Sequence, residues 1–256
     1  MKIAFIGDIV GRPGREMLKK HLKTLKEQHK LDLIVANTEN ASHGFGITPN
    51  NAKEIFSYGV DIMTGGNHSF DKKEIFNMML THPILRPINF NSSLPGKGVE
   101  IIEIDNQKVA IINAMGHYGM PQTNNVFEIL QQQIDILKKN GIKHIFIDFH
   151  AETTAEKRGL MMMFQSEISG IVGTHTHIGT DDYEVENNTA YVTDIGLTGC
   201  KDGVIGMDSK IPIQKFLGQP WGHFDIPKKC KKILQLIIIE CNEIGATSIE
   251  KIKIIE

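Results

Sequence analysis

Apolar and polar positions along this chain fall into two rhythms. Lys2 to Ile6 is a compact apolar run stopped by Gly7-Asp8 and reads as a buried strand. From about Gly14 to His29 the period lengthens, and Leu18, Leu22 and Leu25 recur on one helical face. Leu31 to Ala36 is a second strand. Thr48-Pro49 marks a helix start, a capping hydroxyl followed by proline at the first helical position. Asp61 to Thr64 is a short strand that runs into Gly65-Gly66-Asn67-His68. Asp71 and Glu74 have the spacing of a capping box for a helix through about Leu80. This β-α-β-α-β-α order is that of a parallel sheet covered by helices.

The second half is patterned differently. Pro83 to Gly98 carries three prolines and two glycines and reads as loop. Val99 to Ile104 and Lys108 to Asn113 flank Asp105-Asn106-Gln107 as a hairpin. A helix near Asn124 to Asn140 leads into the strand Lys143 to Phe149, which ends at His150, and Thr153 with Glu156 is spaced to cap the next helix. The apolar run Ser169 to Val172 leads into Gly173-Thr-His175-Thr-His177. Asp182 to Glu186 and Thr189 to Thr193 form a second hairpin around Asn187-Asn188, Gly196 to Gly206 reads as glycine-rich loop, and the tail closes with strands. No internal repeat, low-complexity segment or linker divides the chain, so the expectation is one α/β domain over residues 1–256.

Composition narrows the class. Apolar residues make up 41% and charged residues 23%, ordinary for a soluble globular protein. A net charge of −2 gives no bulk field for RNA or an anionic membrane, although a local patch stays open, as does homo-oligomerisation. Lys19, Lys20, Lys23 and Lys26 read as the solvated face of one helix. The odd number of cysteines (Cys200, Cys230, Cys241) and the lack of a CxxC pair argue against a disulfide framework and for a reducing cytoplasm. The apolar run at the N-terminus is too short for a signal peptide, and no run approaches the ~20 residues that span a bilayer.

The chemistry collects at strand ends. Asp8 ends the first strand, Glu39-Asn40 follow the second and Asn67-His68 the third; His150 ends a later strand, and His175 with His177 follow another. Each alone reads as a cap, a turn or a surface charge. Five such places together do not, because α/β sheets build their sites outside the carboxyl ends of the strands. Asp8, Glu39, Asn40, Asn67, His150, His175 and His177 offer two carboxylates, two amide oxygens and three imidazoles, a set that suits two transition ions. Mixed nitrogen and oxygen donors favour iron, manganese, zinc or cobalt over calcium or magnesium. Against about +4 from two divalent ions, the two carboxylates and a bridging hydroxide leave positive charge for an anionic phosphate. Rival motifs are absent: Gly7, Gly11 and Gly14 are not spaced as GxGxxG, and no P-loop, DxD or GxSxG motif occurs.

Gly7-Asp-Ile-Val-Gly11, Asn37-Thr-Glu-Asn-Ala41, Gly44-Phe-Gly-Ile-Thr48 and Gly65-Gly-Asn-His68 open a longer series. Asp148-Phe-His-Ala-Glu-Thr-Thr154, Gly173-Thr-His-Thr-His177 and Thr193-Asp-Ile-Gly-Leu-Thr-Gly199 complete it. In this order, over most of the chain, they resemble the calcineurin-like metallophosphoesterase superfamily, and more closely its bacterial YmdB-type branch. The resemblance implies a four-layer α/β/β/α sandwich, a dinuclear metal site with iron as the first candidate, and hydrolysis of phosphodiesters by metal-bound hydroxide. The implied substrates are small phosphodiesters such as 2',3'-cyclic or 3',5'-cyclic nucleotides. It also implies that Asp8, Glu39, Asn40 and His177 hold one ion and that Glu39, Asn67, His150 and His175 hold the other, with Glu39 bridging. His68 would then contact the phosphate or protonate the leaving oxygen.

Two departures from the broad superfamily are shared with this branch: Val10 stands where a histidine is usual, and Thr38-Glu39 where Gly-Asp is usual. Phe70 replaces the tryptophan expected in the branch. The alternatives are a phosphomonoesterase or RNA-directed nuclease with the same metals, and a regulatory protein that binds nucleotide or RNA. For a diester preference, the candidate pocket walls are the loops Ala41 to Gly46 and Gly196 to Gly206, where glycine lets backbone approach a nucleoside.

Overall fold

In the computed structural model, which describes residues 1–256, strand and helix alternate much as the hydrophobic rhythm dictates. The first half comprises β1 (Lys2–Ile6), β2 (Asp8–Ile9), α1 (Gly11–His29), β3 (Leu33–Asn37), α2 (Pro49–Ser57), β4 (Ile62–Thr64) and α3 (Phe76–Met79). Then come β5 (Val99–Ile104), β6 (Gln107–Met115), α4 (Val126–Lys139), β7 (His144–His150), α5 (Thr154–Phe164) and β8 (Gly170–Thr174). The chain ends with β9 (Glu184–Glu186), β10 (Thr189–Val192), β11 (Leu197–Cys200), α6 (Lys210–Phe216), β12 (Lys232–Cys241) and β13 (Ala246–Ile255).

Two sheets result. The first has the order β2-β11-β12-β1-β3-β4 with β13 along the free side of β12, and the second has the order β5-β6-β7-β8-β10-β9. β1, β3 and β4 are parallel, as are β6, β7, β8 and β10, while the hairpin partners β5 and β9 run antiparallel at the edges. Period-two burial explains the layering. Ile3 and Phe5 of β1, Val109 and Ile111 of β6 and Phe146 of β7 share one apolar layer between the sheets. Phe5 and Phe146 meet across it with ring centroids 5.8 Å apart. The alternate residues Ala4 and Ile6 face Leu18 and Leu22 of α1, and Ala110 and Ile112 face Leu130 and Ile134 of α4. Helices therefore cover both outer faces, and the architecture is the expected four-layer α/β/β/α sandwich.

Several local expectations change. Asp71 caps no helix: its carboxylate bonds His68, and a 3-10 turn at Lys73–Ile75 precedes the short α3. Thr153 precedes α5, but its hydroxyl donates to Glu156 Oε2 at 2.9 Å, and Glu156 accepts the backbone N–H of His117 and Tyr118. The Gly196–Gly206 stretch contains β11, a four-residue strand whose glycine masks its strand character. Thr48 does cap α2, accepting from Asn51 N. Both hairpin turns (Asp105-Asn106 and Asn187-Asn188) have φ between 49° and 63°, the left-handed region that asparagine and aspartate tolerate. The cysteines form no framework, but Cys200 and Cys230 are paired, their Cα atoms 5.8 Å apart, while Cys241 is free and buried. The antiparallel register of Cys200 with Lys232 brings the two together, a contact that their separation of 30 residues does not announce. No helix is long and apolar enough to cross a membrane.

Candidate metal centre

The parallel strands deliver their C-terminal ends to one place, as this fold class requires. Asp8 follows β1, Glu39 and Asn40 follow β3, Asn67 and His68 follow β4, His150 closes β7, and His175 and His177 follow β8. Asp8, Glu39, Asn40, His150 and His177 are buried. Gly66 makes the close approach possible, since a Cβ there would overlap the His150 ring. His175 and His177 sit at φ 97° and 65°, a region that costs a non-glycine residue on the order of 1–3 kcal/mol and tends to mark functional turns.

The side chains gather in two groups. His150 Nε2 lies 2.9 Å from Glu39 Oε1, 3.0 Å from Asn67 Oδ1 and 3.1 Å from His175 Nδ1. One ligand atom from each of Glu39, His150 and His175 lies within 4.8 Å of the others. In the second group His177 Nε2 lies 3.3 Å from Asn40 Nδ2 and 3.5 Å from Asp8 Oδ1. Asp8 Oδ1 is buried without a hydrogen bond, and its Oδ2 accepts from His175 N at 3.1 Å. His150 Nδ1 lies 3.9 Å from Asp8 Oδ1, so the groups adjoin.

Each imidazole has its outward nitrogen bonded away from the cluster. His177 Nδ1–H donates to the Ile205 carbonyl at 2.8 Å. His175 Nε2 pairs with Glu152 Oε2 at 2.9 Å. His150 Nδ1 pairs with Thr174 Oγ1 at 3.0 Å, and that hydroxyl donates to Asp148 Oδ1 at 2.7 Å. Thr64 donates to the other Asp148 oxygen. These partners fix the ring orientations and turn the remaining nitrogens inward, the arrangement that surrounds imidazole ligands on a metal. An orphaned carboxylate oxygen and inward-facing imidazole nitrogens have the chemistry a cation site needs, and Glu39, His150 and His175 are close enough together to hold an ion.

The electrostatics agree. Burial alone would raise the Asp8 carboxyl, but His177 and His150 outweigh it and hold the group below the usual carboxylate range. Burial likewise opposes ionisation of Glu39, and His150 beside it wins, leaving its pKa lowered. Burial pulls the His177 imidazole down, yet the adjacent Asp8 carboxylate pushes it up to about 9. Burial pushes Asp148 up to about 6 against the hydrogen bonds from Thr64 and Thr174.

His68 stands apart from the donor groups. Its backbone N–H donates to Glu39 Oε2 at 3.0 Å while its ring turns away, with Nδ1 2.7 Å from Asp71 Oδ2 and its edge against Phe45 at 5.0 Å between centroids. The side chains of Asn67 and His68, adjacent in sequence, therefore turn to different partners. Val10 is buried among Leu197, Met207 and Ile233 and offers no ligand. Phe70 meets Phe76 and Phe90 edge to face, a packing site.

Sequence reasoning missed the supports. Lys157, buried on α5, donates to the Thr174 carbonyl and to Asp194 Oδ2, each at 2.9 Å. Asp194 also accepts from Thr176 N and Oγ1 and from Gly196 N, and so clamps the turn that carries both histidines. Asp194 lies just past the end of β10 and Asp148 interrupts an apolar strand; the strand-end rule reaches the first, and the lone charge in His144-Ile-Phe-Ile-Asp-Phe-His150 flags the second.

Beside the ligands lies a cavity of about 370 Å³. Gly44 and Phe45 line it from the first expected loop and Val204 with Ile205 from the second. α6 and Phe224 complete the wall, and neither was anticipated.

A model of the YmdB-like protein family matches residues 4–252. The chain belongs to that family. A 2',3'-cyclic-nucleotide 2'-phosphodiesterase of Bacillus subtilis is 41% identical over 218 residues, covering 84% of this chain and 82% of that protein. The crystal structure of a novel phosphatase from Mycoplasma pneumoniae superposes with a TM-score of 0.92 at 31% identity, covering 100% of this chain and 93% of that one. At 12% identity the calcineurin-like phosphoesterase YfkN of B. subtilis shares the fold, with a TM-score of 0.56 over 100% of this chain and 90% of its own. The chain thus has a metallophosphoesterase fold and is a hydrolytic enzyme.

Proposed function

We propose that residues 1–256 act as one domain and hydrolyse phosphodiester bonds with two metal ions, 2',3'-cyclic nucleotides being the first substrates to test. The B. subtilis relative's activity supports that substrate class. The single observation that carries the reading is the convergence of three imidazoles, each anchored on its outer nitrogen, on Asp8 and Glu39.

On this reading Asp8, Asn40, His177 and Glu39 hold one ion, and Glu39, Asn67, His150 and His175 hold the other. Iron is the first candidate for these mixed donors, with manganese, zinc and cobalt as alternatives. When bound, the pair supplies Lewis acidity toward the phosphoryl oxygens and lowers the pKa of coordinated water. With only two carboxylates among seven donors, the site keeps net positive charge for an anionic diester. His68 donates a proton to the departing ribose oxygen, a step worth typically 10²–10⁴-fold. Asp71 holds the His68 ring through Nδ1 at 2.7 Å and leaves Nε2 free for that transfer. Thr174 and Asp148 orient His150, and Lys157 with Asp194 hold the His175–His177 turn in its left-handed conformation.

The test compares metal-loaded protein on a diester and a monoester with the same leaving group. Faster diester turnover is expected. Faster monoester turnover moves the protein to the phosphomonoesterase reading, which the description of the M. pneumoniae structure as a phosphatase keeps in view.

A further inference from the structure

We propose, building on the phosphodiester reading above, that the cavity beside the metal ligands seats the substrate's nucleobase by stacking, without reading its hydrogen-bonding edge. The cavity, about 370 Å³, falls in the range of ~300–1,000 Å³ typical of sites for one small ligand. Its floor is the ligand end, with Glu39, Asn40, His68, His175 and His177. Away from that floor the wall is Phe45, Val204, Met207, Phe216 and Phe224, with Lys215 as its one charged side chain. No Asn, Gln, Ser or Thr side chain lines the upper wall, so no neutral polar side chain there reads a base edge.

The rings form a path outward from the proposed proton donor. His68 meets Phe45 edge to face at 5.0 Å, Phe45 lies 6.4 Å from Phe224, and the Lys215 ammonium sits 4.4 Å from the Phe224 centroid. A nucleotide with its phosphate at the metal ligands and its ribose beside His68 has its base against this path. Phe216 is 78% exposed, and in the segment that follows it Leu217 and Trp221 are 75% and 74% exposed. Exposed apolar clusters of this kind mark binding surfaces. A base laid on Phe216 covers the ring that lines the cavity, and Lys215 adds a positive charge for an anionic ligand. Every base offers a π-face, so stacking alone tolerates all four.

The experiment measures kcat/KM for the 2',3'-cyclic phosphates of adenosine, guanosine, cytidine and uridine, and for the baseless methyl ribofuranoside 2',3'-cyclic phosphate. Wild type is expected to prefer each nucleotide over the baseless ester by about 5- to 150-fold, with the four bases within roughly tenfold of one another. Phe216→Ala, a truncation at an exposed position, should shrink that preference at least about 5-fold, mainly through KM, and Phe216→Trp should restore it. Phe224→Ala should shrink it further. No preference in wild type, an unchanged preference in both variants, or discrimination among bases beyond about 100-fold would overturn the proposal. A change of sedimentation mass in Phe216→Ala with base preference intact assigns the rim to a second copy and overturns it too. If wild type turns over no diester, the activity reading fails by itself. Calorimetry then decides the base seat: tighter binding of 3'-AMP than of ribose 3-phosphate, lost in Phe216→Ala, upholds it, and equal affinities refute it.

Discussion

His68→Ala separates a proton donor from a metal ligand. The substitution removes the imidazole but keeps the backbone N–H that reaches Glu39 Oε2 at 3.0 Å, so the donor groups keep their geometry. The ring's other contacts are Asp71 at 2.7 Å and the T-shaped pairing with Phe45, neither of them with the donor groups. General acid catalysis of 10²–10⁴-fold corresponds to about 2.7–5.4 kcal/mol of barrier at 1.36 kcal/mol per decade. That loss should fall on substrates whose leaving oxygen is a poor leaving group. A ribose alkoxide needs the proton, whereas p-nitrophenolate barely does. kcat/KM of wild type and variant, each metal-loaded and with metal content measured, is compared on a 2',3'-cyclic nucleotide and on bis-p-nitrophenyl phosphate. The expected outcome is a loss of about 100-fold or more on the first and less than about tenfold on the second, with metal content unchanged. Equal losses on both substrates, or loss of an ion, would refute the role of His68 as the acid.

Three further outcomes are expected. Glu39→Gln should remove bound metal and activity far more completely than Val10→His changes either, because Glu39 is proposed to bridge the two ions while Val10 lies in an apolar cluster; near-native metal content in Glu39→Gln by elemental analysis contradicts the bridge. Metal uptake by chelator-treated protein should strengthen as pH rises from about 6 to 9 and then level off, because His177, with its pKa near 9, must lose its proton to ligate; a pH-independent affinity by buffered competition refutes this. Lys157→Met strands the Asp194 carboxylate in the interior and should cost about 3–5 kcal/mol of unfolding free energy in denaturant titrations, whereas a cost under ~1 kcal/mol means the pair is not a clamp.

The strands bearing the site were legible because they are buried on both faces and end abruptly in Gly-Asp, Gly-Gly-Asn-His and Gly-Thr-His motifs. The donors were legible because carboxylate, amide and imidazole recur at strand ends, where a parallel sheet gathers them. What stayed hidden depends on long-range pairing. β11 is four residues long with Gly199 among them, too short to show a period, yet it lies between β2 and β12 beside Asp8. Asp71 has the spacing of a capping residue, and only the fold turns its carboxylate to His68. Lys157 looks like a surface lysine on a helix until Asp194 arrives from 37 residues away. The pocket wall from α6 to Phe224 has no motif at all, since apolar stacking imposes no spacing.

The most direct test of the account is a metal titration of activity. Chelator-treated protein is titrated with Mn²⁺ or anaerobic Fe²⁺ while hydrolysis of 2',3'-cyclic AMP is followed at protein concentrations well above the dissociation constant. Two adjoining donor groups, with Glu39 proposed to bridge them, predict no turnover without metal and a plateau at about two ions per chain. A plateau at one ion, or full activity in the metal-free protein, would contradict the dinuclear site.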